Sequence, residues 1–263
     1  MSTGTVAIPG GHLATRVDGE AGKPWLVLSN SLAADHRMWD AQVPWLTGRY
    51  RVLRYDTRGH GGSDAPIGDY AFDDLVADVV AVMNHHDVAR ARYVGLSLGG
   101  MTGLGLALAH PERVERLVVC DARADAPPPF VKSWDDRIAA IEAGGMEVIV
   151  AGTLERWLTP AFRAREPAEA ERLAAMIRAT SPAGYRGCAA ALKRLDYLKD
   201  LGRLTAPTLY VVGAEDSAAP EAAMRAMAEA TPGGRLAVVA EAAHIANVDN
   251  PAGFRAALDG FLA

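Results

Sequence analysis

Gly95-Leu96-Ser97-Leu98-Gly99-Gly100 stands between a short apolar run, Arg92-Tyr93-Val94, and the stretch Met101-Thr102-Gly103-Leu104-Gly105-Leu106-Ala107-Leu108-Ala109-His110. The first run reads as the end of a strand and the last stretch as a buried helix. Strand, G-x-S-x-G, then helix is the context of a nucleophile elbow. So tight a turn strains the serine backbone and requires small residues two before and two after it, which Gly95 and Gly99 satisfy. Ser97 is then lifted above the strand ends at a helix N-terminus, where backbone N–H groups favour developing negative charge.

Outward from this stretch, strands and helices alternate. Thr5–Ile8 and His12–Val17 flank Pro9-Gly10-Gly11 as a hairpin. Trp25–Ser29 is a continuous apolar run, as a strand covered on both faces requires. A polar loop from Asn30 to His36 and helical spacing over Trp39–Leu46 follow. Arg51–Tyr55 is the next strand. From Phe72 to His85 the apolar residues Leu75, Val76, Val79, Val80, Val82 and Met83 mark one helix face. Arg116–Cys120 is a strand after the elbow helix. Right-handed crossovers turn this order into a mostly parallel α/β sheet of about eight strands with helices on both faces. Ligands of such sheets lie beyond the carboxyl ends of the strands, where Ser97 falls.

The alternation stops between Arg123 and Arg203. Asp125-Ala126-Pro127-Pro128-Pro129 reads as a rigid exit, followed by helices near Ser133–Ala143, Met146–Leu158, Pro167–Thr180 and Pro182–Tyr197. Ser181-Pro182 reads as an N-cap with proline in the first turn. Strands resume at Pro207–Val212 and Arg235–Val239, with helices near Pro220–Ala230 and Pro251–Leu262. The expected organisation is a core of residues 1–122 and 204–263 carrying an inserted all-helical cap, 123–203.

The 263 residues carry 27 Lys plus Arg against 32 Asp plus Glu, a formal net charge of −5. Mild acidity without a basic run argues against nucleic acid or an anionic membrane as partner. No apolar run is long enough to span a bilayer, and the first residues lack the charged and apolar regions of a signal peptide, so a cytoplasmic location is expected. Cys120 and Cys188 fit neither a disulfide framework nor metal spacing and read as buried apolar residues. Gly59-His60-Gly61-Gly62 lacks the lysine of a phosphate loop. Neither metal nor cofactor is expected; the expected partner is a small molecule, and the oligomeric state is left open.

A serine hydroxyl needs a base within hydrogen-bond reach, and histidine can take and return a proton near neutral pH. Of seven histidines, His244 follows the last strand, in Glu241-Ala242-Ala243-His244-Ile245. His60, in a glycine-rich loop at the same edge, is its rival; His36 is read as lying in a surface loop. Asp216, after the strand Pro207–Val212, is the expected third member, and Asp121, at the end of the strand after the elbow helix, is a second candidate. The order Ser97, Asp216, His244 is that of the α/β-hydrolases. An oxyanion needs N–H donors: the Leu98 amide supplies one and, by alignment of the loop Ser29-Asn30-Ser31-Leu32, the Leu32 amide the other.

With these residues the chain resembles bacterial 3-oxoadipate enol-lactone hydrolases. Similar stretches are Leu28-Ser29-Asn30-Ser31-Leu32, Met38-Trp39-Asp40, Arg54-Tyr55-Asp56-Thr57-Arg58-Gly59-His60-Gly61, the elbow through Met101, and Pro111-Glu112-Arg113-Val114-Glu115-Arg116-Leu117-Val118. So are Glu155-Arg156-Trp157-Leu158-Thr159-Pro160, Gly184-Tyr185-Arg186-Gly187-Cys188-Ala189-Ala190-Ala191 and Ala242-Ala243-His244-Ile245-Ala246-Asn247-Val248. One departure is Cys120-Asp121, where that family usually has Cys-Asn. The resemblance implies a five-membered enol lactone bearing an acetate side chain, opened through an acyl-enzyme; the alternatives are a related cofactor-free carboxylesterase, perhydrolase or carbon–carbon bond hydrolase and, after these, a ligand-sensing protein on the same fold. The free carboxylate of the lactone calls for an arginine. Arg137, beside Trp134, is one candidate and Arg123 the other. Trp134 is grouped with Arg137 as a possible substrate contact, although Trp134 and Trp157 both read foremost as packing residues.

Overall fold

The computed structural model describes residues 2–263. Its sheet consists of β1 (Ser2–Ile8), β2 (Gly11–Asp18), β3 (Trp25–Ser29), β4 (Arg51–Tyr55), β5 (Ala91–Leu96), β6 (Val114–Cys120), β7 (Thr208–Gly213) and β8 (Arg235–Val239). Their spatial order is β1-β2-β4-β3-β5-β6-β7-β8. β1 and β2 pair antiparallel, as do β2 and β4. From β4 to β8 every pairing is parallel. This is the α/β fold expected from the alternation, with the elbow strand β5 in the interior, where both faces are covered and its residues beyond Arg92 are buried.

Register explains why distant segments meet. Ser29 pairs with Gly95, Leu96 with Cys120, Cys120 with Val211, and Gly213 with Val239. The carboxyl ends of β3, β5, β6, β7 and β8 therefore lie at one level. The residues just past them, Leu32, Ser97, Asp121, Asp216 and His244, come from five segments but leave the same edge of the sheet.

The helix Phe72–His85 begins where the Ala71 amide donates to Asp74 Oδ2 at 2.8 Å. The helix Leu98–Ala109 is apolar nearly all round and buried through Ala107, as its sequence requires. Between β6 and β7 there are only helices and turns, apart from one bridge joining Asp125 to Asp196.

Several local boundaries differ from expectation. The stretch Trp39–Leu46 is two pieces, a 3₁₀ turn His36–Trp39 capped by Asp35 and a short helix Val43–Leu46. Pro44 has no N–H to bond back to residue 40, so one continuous helix cannot form. His36 opens that turn, its Nδ1 2.8 Å from Asp56 Oδ1, rather than sitting free in a surface loop. The proline run is no exit: Pro128 and Pro129 open the helix Pro128–Gly144, in a first turn where a missing N–H does no harm. Met146–Leu158 divides into a 3₁₀ turn, Met146–Ile149, and the helix Val150–Trp157. The helix at Pro182 ends at Lys193 rather than Tyr197. Four elements have no counterpart in the sequence analysis: the helices Pro160–Arg165 and Ala246–Asp249 and the 3₁₀ helices Pro111–Arg113 and Leu198–Arg203. The first carries the same signature as Ser181-Pro182, since Thr159 Oγ1 accepts from the Phe162 amide ahead of Pro160.

Candidate active site

Ser97 has φ 53° and ψ −116°, outside the regions ordinary residues favour. The strain is held from three sides. The Ser97 amide donates to Cys120 O at 2.8 Å, the Gly99 amide to Asn30 O at 3.0 Å, and the Met101 amide to Ser97 O at 2.9 Å. Two glycines make the turn possible. A Cβ on Gly95 would stand 2.2 Å from Gly99 O, and one on Gly99 would stand 2.4 Å from Ser29 O. Gly95 lets the turn close on itself, and Gly99 lets the helix start press against the end of β3.

The segment after β3 is equally constrained. Asn30 Nδ2 donates to Tyr55 O at 2.8 Å, and its Oδ1 accepts from Trp39 Nε1 at 3.0 Å. The Ser31 amide is directed to Met38 Sδ and the Ala33 amide to His60 Nε2, at 3.4 and 2.9 Å. Ala33 itself has a positive φ of 67°. The amides on either side of Leu32 are thus committed, and Leu32 lines the same cavity as Ser97.

The two histidines weighed as bases are placed very differently. His60 is buried, takes the Ala33 N–H on Nε2 and faces Arg58 O through Nδ1 at 3.0 Å, so it is the neutral ring with its proton on Nδ1. Burial holds its pKa below 6.5. The unfolded chain therefore takes the proton first as the pH falls. The contribution of the neutral ring is complete above 6.5 and is lost below it, through the depressed native value. His60→Leu leaves the Ala33 N–H without its acceptor, with an expected loss of about 1–3 kcal/mol. Denaturant unfolding from pH 5 to 8, roughly the range over which histidine changes charge, should also show a flatter profile for the variant.

His244, by contrast, lines the cavity, and its Nδ1 lies 2.9 Å from Asp216 Oδ2. Asp216 Oδ1 accepts from the amides of Ala218 and Ala219 at 2.7 and 3.1 Å. Burial pushes the Asp216 carboxyl up, but the imidazole beside it and these amides outweigh burial and hold it below its ordinary value. The His244 segment is tied to the helical block. The amides of His244 and Ile245 donate to Arg156 O and Trp157 O, and Asp249 accepts from both the Thr159 amide and the Ala243 amide.

The cavity above Ser97 measures about 330 Å³. Its floor includes Leu32, Ser97, Met101, Asp121 and His244, and its roof comes from the helical block, including Trp134, Arg137, Arg156 and Tyr185. The three arginines differ. Arg123 is paired, its Nη2 lying 3.1 Å from Asp125 Oδ1. Arg137 lies over the Trp134 ring, 4.4 Å from its centroid, and Arg156 donates to Thr153 Oγ1 at 3.1 Å. Neither pairs with a carboxylate among the described residues. Burial and the charge of Arg137 push the Arg156 guanidinium down to about 10. Burial raises the Tyr185 hydroxyl above its usual range despite both arginines. Trp134 is buried, and its indole N–H has no hydrogen-bond partner among the described residues. Arg156 and Tyr185 had no role in the sequence reading, although both lie in stretches that carry the resemblance; nothing local distinguishes them from surface residues. Cys120 and Cys188 are both buried and free, away from any pairing. Among the described residues no helix is long and apolar enough to cross a membrane.

Residues 24–251 match the family model of the alpha/beta hydrolase fold. Among curated proteins, 3-oxoadipate enol-lactonase 2 of Acinetobacter baylyi is 34% identical, over 93% of this chain and 90% of its own length. Among solved structures, a hydrolase from Pseudomonas aeruginosa superposes with a TM-score of 0.95 at 41% identity, covering 99% of this chain and 98% of its own. The enol-lactonase from Burkholderia xenovorans does so with a TM-score of 0.95 at 36% identity, covering 98% and 99%.

Proposed function

The chain belongs to the alpha/beta hydrolase fold family and is a hydrolase, and from that premise we propose that it opens a carboxylate-bearing enol lactone of the 3-oxoadipate type. Residues 123–203 act as a cap over the site. The observation that carries the substrate class is the pair Arg137 and Arg156, two guanidiniums in one cavity with no carboxylate partner among the described residues. Two like charges held together in a partly dry site repel each other, and a ligand carboxylate relieves that repulsion while accepting in-plane N–H bonds. The unpartnered Trp134 N–H is a further donor for the same ligand. The names of the enol-lactonases of Acinetobacter baylyi and Burkholderia xenovorans point the same way.

In this mechanism Ser97 attacks the lactone carbonyl while His244 takes the hydroxyl proton at Nε2. Asp216 holds the Nδ1 proton and stabilises the imidazolium. The amides of Leu98 and Leu32 receive the oxyanion. Collapse breaks the ring C–O bond and His244 returns its proton to the enol oxygen. The enol stays tethered to the acyl group and could close the ring again; ketonisation and prompt attack by water make the opening irreversible. His244 activates that water, Ser97 leaves, and an acyclic 3-oxo dicarboxylate departs.

Turnover of the enol lactone, a neutral five-membered lactone and nitrophenyl esters tests the reading; faster hydrolysis of the simple esters would reject it. Within the same panel, Arg156→Ala is expected to raise KM for the carboxylate-bearing lactone by about 10–100-fold, the loss of a charged hydrogen bond. Hydrolysis of neutral esters should change little, and Arg137→Ala should behave alike.

A further inference from the structure

Asp121 is fully buried at the end of β6, with a φ of 47° that aspartate and asparagine tolerate better than most residues. Its Oδ1 accepts from the Gly213 amide at 2.7 Å. Its Oδ2, equally buried, makes no hydrogen bond of ordinary geometry among the described residues, and a second amide, that of Ala246, also faces the carboxyl. The side chain within hydrogen-bonding reach of the carboxyl is another acid, Asp216. Among the described residues no cation pairs with Asp121, and Arg123, two residues along, is paired with Asp125. The titratable groups against Asp121 are Asp216, from the segment after β7, and its chain neighbour Cys120; Asp216 in turn faces His244 from the segment after β8.

Two ionised carboxylates buried side by side cannot hydrogen-bond to each other without a proton between them, because both are acceptors only. Asp216 already receives three bonds, from His244, Ala218 and Ala219, and an ionised carboxylate has about four lone-pair sites. One site remains for a donor. Resting on the reading of Asp216 and His244 given above, we propose that Asp121 is a neutral carboxylic acid whose Oδ2–H donates to the Asp216 carboxylate, making it a positioning residue for the Asp216–His244 pair. The proton belongs on Asp121 because each carboxyl faces two backbone amides, but only Asp216 also has the imidazole beside it to favour its charge. Burial and the Asp216 charge both push the Asp121 carboxyl well above its ordinary range, whereas Asp216 is held low.

The neutral form has a consequence for catalysis. An ionised Asp121 would place a second negative charge near the imidazolium, beyond the counter-charge of Asp216. A neutral Asp121 leaves Asp216 as the sole counter-charge, restrained from both sides.

Asp121→Asn separates the two cases, because the amide donates an N–H where the acid donates an O–H and never ionises. If Asp121 is neutral, the variant keeps kcat/KM within about twofold and the acid limb of its pH profile coincides with that of wild type. Asp121→Ala, which leaves Asp216 without that donor, loses about tenfold in kcat with little change in KM, the effect of one bond to a charged group. Its melting temperature verifies that it is folded. An infrared difference spectrum of wild type against Asp121→Asn should show a protonated carboxyl C=O band present only in wild type. A downward shift of the acid limb by about one unit in Asp121→Asn, as expected on removing a charge near the histidine, or absence of the band, would overturn the proposal. The infrared band is independent of turnover. Its absence would therefore sink only Asp121, while full activity in a Ser97→Ala variant would sink the underlying reading.

Discussion

Ser97→Ala is expected to lower kcat by about 10⁶-fold, with substrate affinity and melting temperature close to wild type. The hydroxyl is the bond-forming group in the proposed mechanism, and water at the same place is neither held in line nor activated equally. Stability should hold because the elbow is kept by backbone bonds, from Ser97 to Cys120 and from Gly99 to Asn30, that alanine leaves intact. His244→Ala should cost as much, and the double variant scarcely more, because a nucleophile without its base and a base without its nucleophile are equally idle. Burst and steady-state kinetics on an activated ester would measure all three. A Ser97→Ala protein that retained its function would mean the chain uses the cavity to bind a ligand rather than to break a bond.

Asp216→Asn should reduce kcat by about 10⁴-fold, a smaller loss by a different route. Asp216 Oδ2 accepts from His244 Nδ1 at 2.9 Å, which leaves Nε2 free to take the serine proton. An amide group at 216 can present its N–H to Nδ1 instead, favouring the tautomer protonated on Nε2, which cannot act as base. It also withdraws the charge that steadies the imidazolium. Substrate binding should be little affected, so the loss should fall on kcat. The same carboxylate links pH to stability: with its native pKa below 3.8, its contribution is complete above that value and is lost as the pH falls through the native value. Acid unfolding of Asp216→Asn should therefore lack that component.

How far the chain is readable as a sequence depends on the range of the signal. The strand-turn-helix at Ser97, the hairpin at Pro9-Gly10, the helix Phe72–His85 and the strands β3 and β8 can be read within a few residues, because periodicity and glycine or proline chemistry act locally. The Ser181 cap could be read for the same reason, and the Thr159 cap carried the same signature unread. The helical breaks were less legible: Pro44 interrupts a pattern whose apolar spacing continues across it, and Pro128 and Pro129 begin a helix where they were expected to end a segment.

Side-chain partners were a different matter. His60 and His244 both follow strands at one edge, and only packing makes one a buried acceptor for Ala33 and sets the other against Asp216. Arg123, Arg137 and Arg156 are equivalent as letters and line one cavity; what sets the first apart is its ion pair to Asp125, a contact only the fold brings about. Asp121 and Asp216 are 95 residues apart by their numbering and adjoin because β6 and β7 pair in register. The sequence by itself determined the order of strands and helices and the strained turn at Ser97, since those depend on neighbours along the chain. Only the tertiary structure decided which histidine, which arginines and which pair of acids meet, since burial and charge pairing are set by segments that the chain keeps far apart until it folds.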